Sequence, residues 1–69
     1  MDKITPLPMA DLLAEIDAFL ISKGMTEREF GLSSVKDHKL IPDLRNGREL
    51  RQATAGRIRR FMTEMARAA

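Results

Sequence analysis

The segment 25–47, MTEREFGLSSVKDHKLIPDLRNG, narrows the possible folds more than any other part of the chain. It reads as a short helix, a turn and a second short helix. Thr26 followed three residues later by Glu29 is a capping box: the threonine oxygen accepts from the Glu29 amide, and the Glu29 carboxylate reaches back to the Thr26 amide. Met25 just before the cap and Phe30 four residues after it have the spacing of a hydrophobic staple. One turn in comes Gly31, a poor residue for an exposed helix interior. A glycine there implies that another backbone or helix crosses closely. Ile41 and Leu44 then supply the buried stripe of the second helix, and Asn46-Gly47 stops it.

Two short helices crossing at a residue without a side chain meet the requirement of a helix-turn-helix. The segment resembles the DNA-binding unit of the phage-repressor (Xre/Cro, lambda-repressor-like) family. Phe30-Gly31 matches the middle of that family's first motif helix. Ile41 and Leu44 lie ten and thirteen residues after Gly31, where the family buries its recognition helix, and Asn46-Gly47 resembles the Asn-Gly that often follows. The run Phe30-Gly31…Asp43-Leu44-Arg45-Asn46-Gly47-Arg48 is also similar to small bacterial regulators carrying FG…DLR-GR. The resemblance covers about residues 10–63. It departs in two places: the turn position usually held by glycine falls on Val35, and Pro42 lies inside the proposed recognition helix. It implies a compact four- to five-helix domain that binds specific duplex DNA and acts as a repressor, of bacterial or phage origin.

Sixty-nine residues make one small domain with an efficient core. Strand signals are weak and no repeat is visible, so the fold class is all-α. There is no cysteine, hence no disulfide framework and no thiolate metal site. No apolar run approaches the roughly 18 residues of a membrane span, and the first residues lack a signal-peptide core. A cytoplasmic protein is expected, in a bacterium or in the host of a phage. Net charge is +2, unevenly placed. Residues 1–34 carry three Lys/Arg against six Asp/Glu, and residues 35–69 carry nine against four. An electropositive second half suits a polyanion.

The flanking segments read as scaffold. Residues 1–7 are a loose arm, and residues 8–67 form the domain. The first helix is expected over 8–23, with Pro8 at its first position and a broad apolar stripe of Met9, Leu12, Leu13, Ile16, Phe19 and Leu20. Gly24 provides its left-handed end. Helix two is expected over 27–34, facing the core with Phe30 and Val35. Asp37 is placed to cap the third helix. Pro42 cannot donate to residue 38, so the regular third helix begins near Leu40 or Ile41, leaving His38 and Lys39 in an irregular first turn. Residues 47–51 connect to a last helix over 52–67, whose stripe is Ala55, Ile58, Phe61, Met62 and Met65. Arg57, Arg59, Arg60 and Glu64 lie off that stripe.

Catalysis is not expected. The sole histidine, His38, has Asp37 beside it in sequence, but adjacent helical residues point apart. One histidine cannot make a zinc site, and no glycine-rich phosphate loop is present. No cofactor, metal or small-molecule substrate is expected. Duplex DNA is the expected partner, contacted by Arg28, Lys36, His38, Lys39, Asp43, Arg45, Asn46, Arg48 and Arg51. Some of these neutralise phosphates and fix the register, while one or two reach base edges. Arg45, Lys39 and His38 suit guanine, and Asp43 suits cytosine or orients a neighbouring arginine. Proteins of this type commonly bind paired half-sites, so a homodimer through the first or last helix is expected, or cooperative binding with other proteins. The alternative is a protein-interaction module, antitoxin-like or an RNA-polymerase-binding adaptor, presenting Arg57, Arg59 and Arg60 to an acidic partner.

Overall fold

The computed structural model describes residues 9–68. The proposed arm at 1–7 and Pro8 lie outside them. Four helices and no strand occur among the described residues: α1 Ala10–Lys23, α2 Glu27–Val35, α3 Leu40–Arg45 and α4 Gln52–Arg67. The all-α expectation holds, with four helices rather than five. The bounds of α4 are those expected from its stripe, and α2 runs one residue longer than expected.

The boundary between α1 and α2 falls where the sequence supplies a reason. In α1, Asp11 lies in the first turn and Lys23 in the last, both favourable to the helix dipole. Gly24 then takes φ 63, ψ 35, and the Met25 N–H donates to the Leu20 carbonyl at 3.0 Å. In α2 the Thr26 hydroxyl oxygen accepts from the Glu29 N–H at 3.1 Å. The other half of the box differs from expectation. The Glu29 carboxylate accepts from the Thr26 hydroxyl at 3.1 Å rather than from its amide, so the two side chains close directly on one another.

The core is aliphatic, with an aromatic joint. Leu12, Leu13 and Ile16 of α1, Phe30 of α2, Leu40, Ile41 and Leu44 of α3, and Ile58 and Met62 of α4 are buried together. Met9, Phe19, Leu20, Met25, Val35, Leu50, Ala55 and Phe61 pack around them. Three rings from three helices meet. Phe30 lies 5.6 Å from Phe19 and 5.4 Å from Phe61 in edge-on contacts, and Phe19 lies 6.1 Å from Phe61. Edge-to-face contacts of this kind add about 0.5–1.5 kcal/mol each beyond area burial. Both α1 and α2 pack against α3 and also against α4. Glu15 and Arg59 add an ion pair between α1 and α4; Arg57, Arg59 and Arg60 are all exposed, and of the three only Arg59 is paired among the described residues.

Helix α3 is too short to be stable alone. It has six residues and no side-chain N-cap bond, and Pro42 removes one of its few internal donors. What holds it is tertiary: Leu40, Ile41 and Leu44 are all fully buried. It starts at Leu40, and His38 and Lys39 form an irregular turn before it, as the proline required.

Candidate nucleic-acid interface

The joint between α2 and α3 is built around one carbonyl. At the end of α2, Lys36 takes the left-handed conformation, φ 59, ψ 35. The sequence pointed to Val35 for the special turn position; the structure puts it one residue later. Val35 completes the helix with its side chain against the core, and a β-branched residue is poorly suited to positive φ. The Lys36 N–H donates to the Leu32 carbonyl at 3.1 Å, and the Asp37 N–H donates to the Gly31 carbonyl at 3.0 Å. This second bond lays the Asp37 peptide over Gly31. A Cβ on residue 31 would sit 2.1 Å from the Asp37 carbonyl oxygen and 3.4 Å from the Leu40 Cβ. The same carbonyl accepts from the Leu40 N–H at 3.1 Å and so starts α3. Gly31 does mark a close backbone approach, made by the turn rather than by a crossing helix axis.

The Asp37 side chain fixes the turn a second time. Its Oδ1 accepts from the Lys39 N–H at 2.9 Å and its Oδ2 from Arg48 Nη1 at 2.9 Å. The expectation that Asp37 caps α3 is corrected in detail: it closes the turn just before the helix, and the residue flanking α3 is Lys39. The Arg48 guanidinium, and then the Lys39 amide, hold the Asp37 carboxyl below its ordinary value. Arg48 Nη1 also reaches Asp43 Oδ2 at 3.2 Å, and its own pKa is raised, chiefly by Asp37. Asp43 does orient a neighbouring arginine.

Arg45 takes a different course from a freely solvated side chain. Its Nη2 lies 2.7 Å from Asp17 Oδ1 on α1 and 2.7 Å from Glu27 Oε2 on α2, with Nη1 3.4 Å from Asp17 Oδ2. The carboxylates of Asp17 and then Glu27 push its pKa still higher. All three side chains remain partly exposed.

The other expected contact residues divide by exposure and pairing. Arg28 is exposed on the first turn of α2, Lys36 at the turn, His38 and Lys39 before α3, and Arg51 before α4. Among the described residues, none of these five comes within ion-pair distance of a carboxylate, unlike Arg45, Arg48 and Arg59. Asn46 is exposed, and its N–H donates to the Pro42 and Asp43 carbonyls, each at 3.1 Å. Gly47 follows at φ 94, completing the expected stop. Pro42 is exposed while Leu40, Ile41 and Leu44 are not. Lys36, His38, Lys39 and Pro42 thus form one exposed run at the start of α3. The sequence reading missed Asp17 and Glu27 as partners of Arg45, although their acidity was visible in the charge of the first half.

No group of three or more potential metal ligands gathers among the described residues, and none of the described helices is long and apolar enough to cross a membrane. An open groove of about 830 Å³ lies between α1 and α4, with Phe19 and Met62 but also Glu15, Lys23 and Arg59 in its lining. No protein-family model, curated protein or solved structure matches the chain.

Proposed function

We propose that this protein binds specific duplex DNA as a transcriptional regulator, a repressor of lambda-repressor-like type, docking residues 38–46 in the major groove. It would act in the cytoplasm of a bacterium or of a phage host. The observation that carries the reading is the exposed run Lys36, His38, Lys39 and Pro42 at the start of a short helix whose other face is fully buried. The two acids of that segment, Asp37 and Asp43, are both covered by Arg48, so the run meets an anion as a net cationic edge. The N-terminal end of the second motif helix is the part that meets base edges in such units.

In this reading His38 and Lys39 approach bases, with Asn46 and Asp43 at the far end of the segment. Arg28, Lys36 and Arg51 neutralise phosphates. Arg45 would have to leave two carboxylates to reach guanine, so its part is to hold α3. A homodimer would place two heads on one operator, and the α1–α4 groove is available for that contact. The test is selection of bound fragments from random duplex DNA, followed by salt titration. The expected result is an enriched motif and a log–log salt slope of roughly −3 per chain for about three phosphate contacts. No enriched motif and a flat slope would defeat the reading.

A second reading, an interaction module of the antitoxin or polymerase-adaptor kind, is favoured by one feature. Ile21 of α1 is 85% exposed, on the helix that borders the groove. Capture of an acidic protein partner, abolished by Ile21→Asp with DNA binding absent, would decide for it.

A further inference from the structure

We propose that Arg45, Asp17 and Glu27 form a positioning device for α3, and that the two acids promote binding of a polyanion although they are themselves negative. The argument rests on the DNA-binding reading for its functional half and on geometry alone for its structural half.

Helix α3 cannot set its own orientation. Six residues with a proline at the third position make too few internal hydrogen bonds to define an axis. Its three buried side chains seat it on the core and the Asp37 turn fixes its start. Its far end is tied to α1 and α2 through the last residue of the helix. One guanidinium, planar and rigid, meets Asp17 through both nitrogens and Glu27 through one. Asp17 is on α1 and Glu27 opens α2, so three helices are tied at one point. Arg48 performs the complementary tie, joining the chain after α3 to Asp37 before it and to Asp43 within it. The exposed run Lys36, His38, Lys39 and Pro42 is therefore presented at a fixed angle from a frame tied at both ends.

Two accounts of Asp17 and Glu27 predict opposite signs. If they merely mask Arg45, removing them frees a cation, lowers the negative charge by two, and strengthens association with a polyanion. If they position α3, removing them weakens binding in spite of that charge change. The experiment compares duplex DNA affinity, on the selected motif, of Asp17→Asn/Glu27→Gln with a charge-matched control, Asp11→Asn/Glu64→Gln. Both control residues are exposed and outside the ion pairs among the described residues. Arg45→Lys keeps the charge and loses the fork. Hydrogen exchange of the Asp43 and Leu44 amides is measured without DNA in each variant, with thermal melts to confirm folding.

The control is expected to bind as tightly as the parent or more tightly. The Asp17→Asn/Glu27→Gln and Arg45→Lys variants are expected to bind about tenfold more weakly, with faster exchange at Asp43 and Leu44. Binding by Asp17→Asn/Glu27→Gln equal to or above the control overturns the positioning role. If the parent binds no duplex DNA at all, the functional reading falls separately, and the device is judged by exchange alone: unchanged protection at Asp43 and Leu44 overturns it.

Discussion

Adding one methyl group at residue 31 should separate the turn from α2. In Gly31→Ala the new Cβ would lie 2.1 Å from the Asp37 carbonyl oxygen and 3.1 Å from its carbon. Carbon–oxygen contacts tolerate no less than about 3.3 Å, so the turn has to retreat by about 1 Å. The obstacle is backbone, which cannot rotate away as a side-chain tip can. Retreat strains two hydrogen bonds at once, Asp37 N–H to Gly31 and Leu40 N–H to Asp37. Each is worth about 1 kcal/mol net, and the steric misfit adds about 1–3 kcal/mol. Alanine returns about 1 kcal/mol through helix propensity. The balance is a loss of about 2–4 kcal/mol, against a total of about 3–10 kcal/mol for a domain of this size. For so small a domain that lowers the melting temperature by about 10–30 °C, measured by circular dichroism. Gly56→Ala is the internal control. Gly56 is helical and no heavy atom waits within 4 Å of its Cβ position, so the same change should stabilise by about 0.5–1 kcal/mol. A Gly31→Ala protein melting at or above the parent temperature would refute the close-approach argument.

Three further outcomes are expected. Thr26→Ala removes the side chain that accepts from the Glu29 amide in the first turn of α2 and should cost about 1 kcal/mol in a urea titration; Ser in its place should restore most of the loss. Lys36→Gly relieves a positive φ at a cationic position, so stability should stay level or rise by up to about 1 kcal/mol, while the proposed DNA-binding role requires duplex affinity to fall. Asp37 has a folded pKa below its ordinary 3.8, so its contribution is complete above about pH 4 and is lost as pH falls through the depressed value. Melts from pH 7 to pH 2 should therefore show a step that Arg48→Gln reduces; identical profiles for parent and variant would remove the Arg48–Asp37 pair from the acid response.

Local signals were readable in advance and distant pairings were not. The α2 cap, the late start of α3 after Pro42 and both bounds of α4 follow from interactions spanning four residues or fewer, which a sequence displays directly. The displacement of the left-handed position from Val35 to Lys36 depended on where the Asp37 amide finds its acceptor, and that acceptor lies on Gly31, a turn and a half back. Arg45 finds Asp17 and Glu27 across 28 and 18 residues, and charge pairing over such separations imposes no periodicity. A surface arginine waiting for a base and one already bound to acids look alike in sequence. The all-helical architecture was legible from apolar spacing, because burying such stripes leaves few alternatives.

The ring joint has a consequence for how this domain can diversify. Phe19, Phe30 and Phe61 couple α1, α2 and α4 without a contribution from α3, which meets the core through Leu40, Ile41 and Leu44 alone. Three aliphatic anchors leave His38 and Lys39 outside the interior, so those letters are open to rewriting while the chassis keeps its shape. A library randomised at those positions should fold almost throughout, each member a new outer face on an unchanged cassette.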